Sequence, residues 1–218
     1  MKKLFGYDGI LPKAAEVVTV FVLSNILTLI CCIPIITIGA AFAANQKVMQ
    51  DFVMENSRAV FKTYITAFWQ NLGKSTALFC LLILTMAFLV ADFYCILLFA
   101  SGVLALVLYL LLLTVFVLVF GVATCCFSLI VRYENTLGEH LRNCLYLLMS
   151  NPARIVLMAV VAVIPWAILL FDPDLFIQLV PVWVFFGVSL FGYVQTKLVK
   201  PLFDLMDSTP KIEENTSV

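Results

Sequence analysis

The side chains that could carry chemistry are few. Seven cysteines stand at positions 31, 32, 80, 95, 125, 126 and 144, beside a single histidine, His140. All of the cysteines but Cys144 lie in apolar runs, their number is odd, and no spaced C-x-x-C pair occurs, so neither a disulfide framework nor a zinc site is indicated. In such runs free cysteine reads as a small apolar packing residue. His140 has no cysteine or carboxylate at ligand spacing and reads as a surface residue. No Ser–His–Asp arrangement, glycine-rich phosphate loop or H-E-x-x-H motif is present. The expectation is therefore a protein that is not an enzyme and needs no metal or cofactor.

Two features inside apolar sequence stand out instead. Asp92 is the only acidic residue well within an apolar segment. A carboxylate there costs at least a few kcal/mol unless protonated, hydrated or paired, and marks a functional site. The competing reading ends the segment earlier and leaves Asp92, beside Tyr94, in an outer interfacial turn. The stretch LICCIPIITIGAAFAANQK, residues 29–47, is the second feature. Pro34 removes a backbone donor and should kink a helix near residues 30–33. Gly39 with Ala43, and Ala40 with Ala44, are small-x-x-x-small pairs that admit a close neighbouring helix. The kink serves either packing alone or exposure of carbonyls to a ligand, as in broken transporter helices. Ala41-Phe42-Ala43 matches the A-x-A cleavage rule, but the preceding apolar run is about twice a signal peptide's h-region, so the segment is expected to remain as an anchor.

These features must be positioned by membrane helices. The chain of 218 residues is 64% hydrophobic and 12% charged, more apolar surface than a soluble domain of that size can bury. The expected fold is all-α, a polytopic membrane helix bundle formed as one domain over residues 1–203, with a short disordered tail over 204–218. Five segments are long enough for a hydrocarbon core of about 30 Å: Val17–Ala44, Ser75–Ala100, Val103–Val131, Ile155–Phe171 and Phe176–Thr196. Ser101-Gly102 and Asp172-Pro173-Asp174-Leu175 are tight turns that make two hairpins. Net charge is zero, so nothing argues for nucleic acid, and the lipid bilayer is the implied partner.

Lysine and arginine orient the chain. Connector 45–74 carries Lys47, Arg58, Lys62 and Lys74, connector 132–154 carries Arg132, Arg142 and Arg154, and the tail carries Lys197, Lys200 and Lys211. Both connectors and the C-terminus are expected on the inner side. Five crossings would then leave Lys2, Lys3 and Lys13 outside. Either that end is exported despite its charge, or the first segment does not span simply. The connectors also resemble each other: Lys62, Asn71 and Lys74 recur as Arg142, Asn151 and Arg154 at an offset of 80. Apolar residues at helical spacing in each, including Phe68 and Leu148, predict two interfacial amphipathic helices and a duplicated unit. Between the third segment and the second connector, Arg132, Glu134 and Asn135 stop one helix, Glu134 favouring the start of the next.

Three stretches together resemble the YesL-like family of bacterial membrane proteins. Leu29–Ala40 resembles its L-P-I-V-T-I-G-A signature, Phe61–Asn71 its F-x-x-x-F-x-x-N-F connector, and Tyr133-Glu134-Asn135-Thr136 with Arg142-Asn143 and Ser150-Asn151-Pro152 its later R-F-x-N, K-N-A and A-N-x-P motifs. Cys31-Cys32 and Tyr133 depart from the pattern. The resemblance implies a multi-pass plasma-membrane protein of undefined activity, associated with carbohydrate or glycan uptake. The partner it suggests is a carbohydrate transporter or sensor subunit. A small secondary transporter or channel, acting as a homo-oligomer, is the alternative.

Overall fold

The computed structural model describes residues 10–208, and among these no strand forms. The order is α1 (Ile10–Cys31), a 3-10 turn (Ile35–Thr37), α2 (Ile38–Glu55), α3 (Val60–Phe99), α4 (Gly102–Ile130), α5 (Leu137–Ser150), α6 (Pro152–Phe171), α7 (Pro173–Val182), a π-helical turn (Trp183–Gly187) and α8 (Val188–Ser208). Five helical stretches are long and apolar enough to cross a membrane, as the expected polytopic bundle requires.

The first segment is not one kinked helix. Pro34 is extended (φ −77°, ψ 119°), and the chain reverses there, so α1 and α2 are antiparallel. Thr37 secures the reversal by donating its hydroxyl to the carbonyl of Cys31, the last residue of α1, and to that of Pro34, each at 2.7 Å. Phe21 meets Phe52 edge-on at 6.0 Å, and Arg58 pairs with Glu16. The start of α1 therefore lies at the same end of the molecule as Arg58. Lys2 and Lys3 themselves lie outside the described residues.

The connectors also differ from expectation. Residues 60–74 are not a separate interfacial helix but the beginning of α3, a continuous helix of 40 residues. Its counterpart α5 does end, because the Asn151-Pro152 step disfavours helical backbone before the proline. Glu134 does not start α5. Thr136 and Glu139 do, as a capping box in which the Thr136 amide donates to Glu139 Oε2 at 2.7 Å and the Glu139 amide to Thr136 Oγ1.

Burial carries the duplication further than the motifs did. Buried Val60, Tyr64, Ala67, Phe68, Ser75 and Leu78 in α3 each have a buried residue 80 positions on: His140, Cys144, Leu147, Leu148, Ile155 and Met158. Ahead of these, Gly39 and Gly121 are equivalent. A Cβ on Gly39 would meet the Ser75 carbonyl and Phe79, and one on Gly121 would lie 2.7 Å from the carbonyl oxygen of Ile155, the residue equivalent to Ser75. The shift between 82 and 80 falls in the linkers 56–59 and 131–136. Gln46 and Ser128, again equivalent, are hydrogen-bonded to each other, so an approximate two-fold axis passes between α2 and α4.

Candidate functional site

Where α1, α2, α4 and α8 meet, the interior holds a seam of uncharged polar side chains: Ser24, Asn25 and Thr28, then Asn45, Gln46 and Gln50, then Ser128, and lastly Ser189, Gln195 and Thr196. All ten are buried. On α1 and α8 the polar positions recur at helical spacing, one face of each helix, so antiparallel packing brings them together.

Asn45 Nδ2 donates to the hydroxyls of Ser24 at 2.9 Å, Ser189 at 3.0 Å and Thr28 at 3.2 Å. Gly192 makes room for it: a Cβ there would sit 2.7 Å from Asn45 Oδ1. Gln46 Nε2 donates to Ser128 Oγ at 3.0 Å and Thr196 Oγ1 at 3.1 Å, and Gln50 Nε2 to the Ser128 carbonyl at 2.8 Å. Gln195 Nε2 donates to the Met158 carbonyl at 2.7 Å. In a medium without water each of these groups would otherwise be an unpaired cost.

Asn25 does something more specific. The π-helical turn Trp183–Gly187 widens the helix and misaligns its ladder. Asn25 Nδ2 donates to the Trp183 and Val184 carbonyls at 3.1 and 2.6 Å, and its Oδ1 accepts from the Ser189 amide at 3.0 Å. One side chain from α1 thus repairs the disrupted turn in both senses. Some polar atoms in and near the seam have no partner, among them Ser75 Oγ, Gln195 Oε1 and Trp183 Nε1.

The residues picked out from sequence scatter around this seam. Gly39 and Ala43 lie on the buried face of α2, as the small-residue spacing predicted, while Pro34 sits exposed at the reversal. Asp92 is exposed on α3, seven residues before its end and away from the seam, with Phe93 beside it packed on Tyr109 at 5.5 Å. Asn71 bonds only within its helix, to the Ala67 carbonyl. Arg132 joins three elements: its Nη2 reaches Asp207 at 2.9 Å, its Nη1 reaches Met54 Sδ at 3.2 Å, and its guanidinium lies over the Phe203 ring at 4.7 Å. Tyr133 donates its hydroxyl to the other Asp207 oxygen at 2.8 Å; its pKa is raised, mainly by burial. Glu134 is exposed and Asn135 half-buried beside it, and Asn151 joins α5 to α6. Residues 204–208, expected in a disordered tail, are instead the end of α8, which runs to Ser208; residues 209–218 lie outside the described part.

His140 is the clearest correction. It is wholly buried, with neither ring nitrogen hydrogen-bonded, because it occupies the core position that Val60 fills in the first repeat. Burial, aided by Lys74, holds its pKa below the ordinary value, so the ring is neutral. Phe68 and Leu148 are corrections too, being core residues rather than outward faces.

The seam itself was not foreseen. Its signal was present as Ser24-Asn25-x-x-Thr28 inside an apolar run and Asn45-Gln46-x-x-x-Gln50 just after one. Amides without charge are easily passed over beside leucines. A model of a family described as "Protein of unknown function, DUF624" matches residues 21–93, which takes in the α1–α2 reversal, the amides of both helices and most of α3. No curated protein and no solved structure matches the chain.

Proposed function

We propose that this multi-pass helical membrane protein is a non-enzymatic accessory component of the bacterial plasma membrane. It belongs with the YesL-like proteins and supports carbohydrate or glycan uptake by docking to a transporter or sensor subunit. Its charged end, with the basic linkers and the C-terminus, faces the cytoplasm. The observation that carries this reading is the way the seam is closed. The donors of Asn25, Asn45, Gln46, Gln50 and Gln195 are all committed to neighbouring helices, which favours a fixed scaffold over a moving carrier. The carbohydrate element rests on the motif resemblance alone.

A docking face is offered by Trp69 and Met149, equivalent by the repeat and 69% and 78% exposed. Each lies on a helix whose other face is core. The test is co-purification from native membranes of cells grown on a polysaccharide. A permease or sensor subunit should be recovered with the wild type and reduced more than tenfold by Trp69→Ser with Met149→Ser. Equal recovery with that variant, or no such subunit with either, defeats the proposal.

The transporter reading is favoured by one observation, the π-helical turn that breaks a membrane helix against α1. Asp92 contributes little to it from its exposed position. Uptake of a labelled sugar by vesicles containing only this protein would establish that reading instead.

A further inference from the structure

We infer that α1 and α2 form a hairpin that enters one leaflet from the charged end without crossing the bilayer, and whose tip, Ile33, Ile35 and Ile36, contacts the acyl chains of that leaflet. Length and composition would let α1 cross by itself. Depth is what decides against it.

The tip is fixed against α3. Thr76 donates its hydroxyl to the Ile36 carbonyl at 3.2 Å, and Gly39 is pressed against Ser75 and Phe79. The hairpin thus rises only to the level of Thr76, while α3 continues for 23 residues to Phe99, about 35 Å at 1.5 Å per residue. That distance alone exceeds a hydrocarbon core of about 30 Å.

Charge fixes the bilayer at the same level. Lys74, exposed on α3, and Arg154, its equivalent on α6, are the last charges before uncharged stretches over 75–91 and 155–171. Each stretch covers about 25 Å. Centring the bilayer on the hairpin instead would draw Lys62, exposed on α3 twelve residues before Lys74, into hydrocarbon. Lys74 and Arg154 therefore mark the boundary, and the hairpin tip lies within about one helical turn of it. The tip isoleucines are 78%, 72% and 74% exposed, beyond what a surface in water sustains and suited to the first carbons of lipid chains.

The test reads sidedness and depth relative to the two neighbouring turns. Single cysteines at Ile33, Ser57 and Ser101 are introduced into a chain freed of native cysteines and reconstituted in vesicles. Ser57→Cys and Ser101→Cys should react with an impermeant maleimide from opposite sides. Ile33→Cys should react from the Ser57 side or not at all. A bimane on it should be quenched more by lipids carrying a nitroxide at carbon 5 than at carbon 12. Labelling of residue 33 from the Ser101 side, or stronger quenching by the deeper nitroxide, overturns the inference. Should the cysteine-free chain not fold, Ile35→Lys in the wild-type chain replaces it. Its amine, mapped by mass spectrometry, should be modified from the Ser57 side, and modification from the Ser101 side is the contrary result.

Discussion

At the scale of single residues, stability in this chain depends on polar groups that apolar sequence conceals. Asn25 holds two carbonyls and one amide of the π-helical turn. Asn25→Leu should cost about 2 kcal/mol, since membrane hydrogen bonds are worth less singly than the unpaired groups cost together. A drop of about 4–8 °C in the unfolding midpoint in detergent would report it, and an unchanged midpoint would deny Asn25 this role. His140 gives a pH signature. Its folded pKa lies below the ordinary 6.5, so as pH falls below that value the unfolded chain takes up a proton that the fold refuses. This part of the stability is in place above about pH 6.5 and is lost toward the depressed folded pKa. His140→Val, which copies Val60 of the first repeat, should flatten the loss of stability between pH 7 and 5. Thermal scans of both proteins across that range check it.

At the scale of elements, close helix contact depends on two glycines for one reason. Gly39 and Gly121 face backbone carbonyls of α3 and α6, and backbone cannot step aside as a flexible side chain can. Gly39→Ala and Gly121→Ala should each destabilise by about 1–3 kcal/mol. Gly73→Ala in α3, where a Cβ would meet nothing within 4 Å, should stabilise by about 0.5–1 kcal/mol. Denaturation midpoints of the three variants distinguish a contact effect from a propensity effect. The linker contact behaves differently again. Arg132 and Asp207 are one-third to one-half exposed, and their ion pair contributes at most about 1 kcal/mol. Asp207→Asn should therefore change the midpoint by no more than a few degrees. The small-x-x-x-small spacing made the Gly39 contact legible in advance. The Gly121 contact was hidden because Val117 and Cys125, four residues to either side, do not complete that spacing.

At the scale of the whole molecule, the bundle has two levels, a charged end and an apolar hairpin of α3 and α4. This arrangement predicts where a charge is tolerated. Leu84→Lys, ten residues beyond Lys74 on an exposed face, enters the bilayer interior and should cost about 2.5–3.5 kcal/mol of insertion free energy. Trp69→Lys, on the near side of Lys74, should insert as the wild type does. The membrane-integrated fraction of each variant, measured by alkaline extraction, checks the pair.

Much of this was legible in the chain. Apolar run lengths determined a polytopic helical bundle, because lipid leaves the backbone no other economical form. The 80-residue offset between Lys62-Asn71-Lys74 and Arg142-Asn151-Arg154 already indicated the repeat. Tertiary structure alone decided the rest. A proline in an apolar run permits a kink or a reversal, and only Thr37 reaching back to the Cys31 carbonyl makes it a reversal. An amide in such a run is a defect until a partner arrives from elsewhere in the chain, and Asn25 with Ser189, or Gln46 with Thr196, are more than 140 residues apart. Periodicity reports which face a residue occupies, but the neighbour that face meets is set by packing, and the polar seam is made wholly of such meetings.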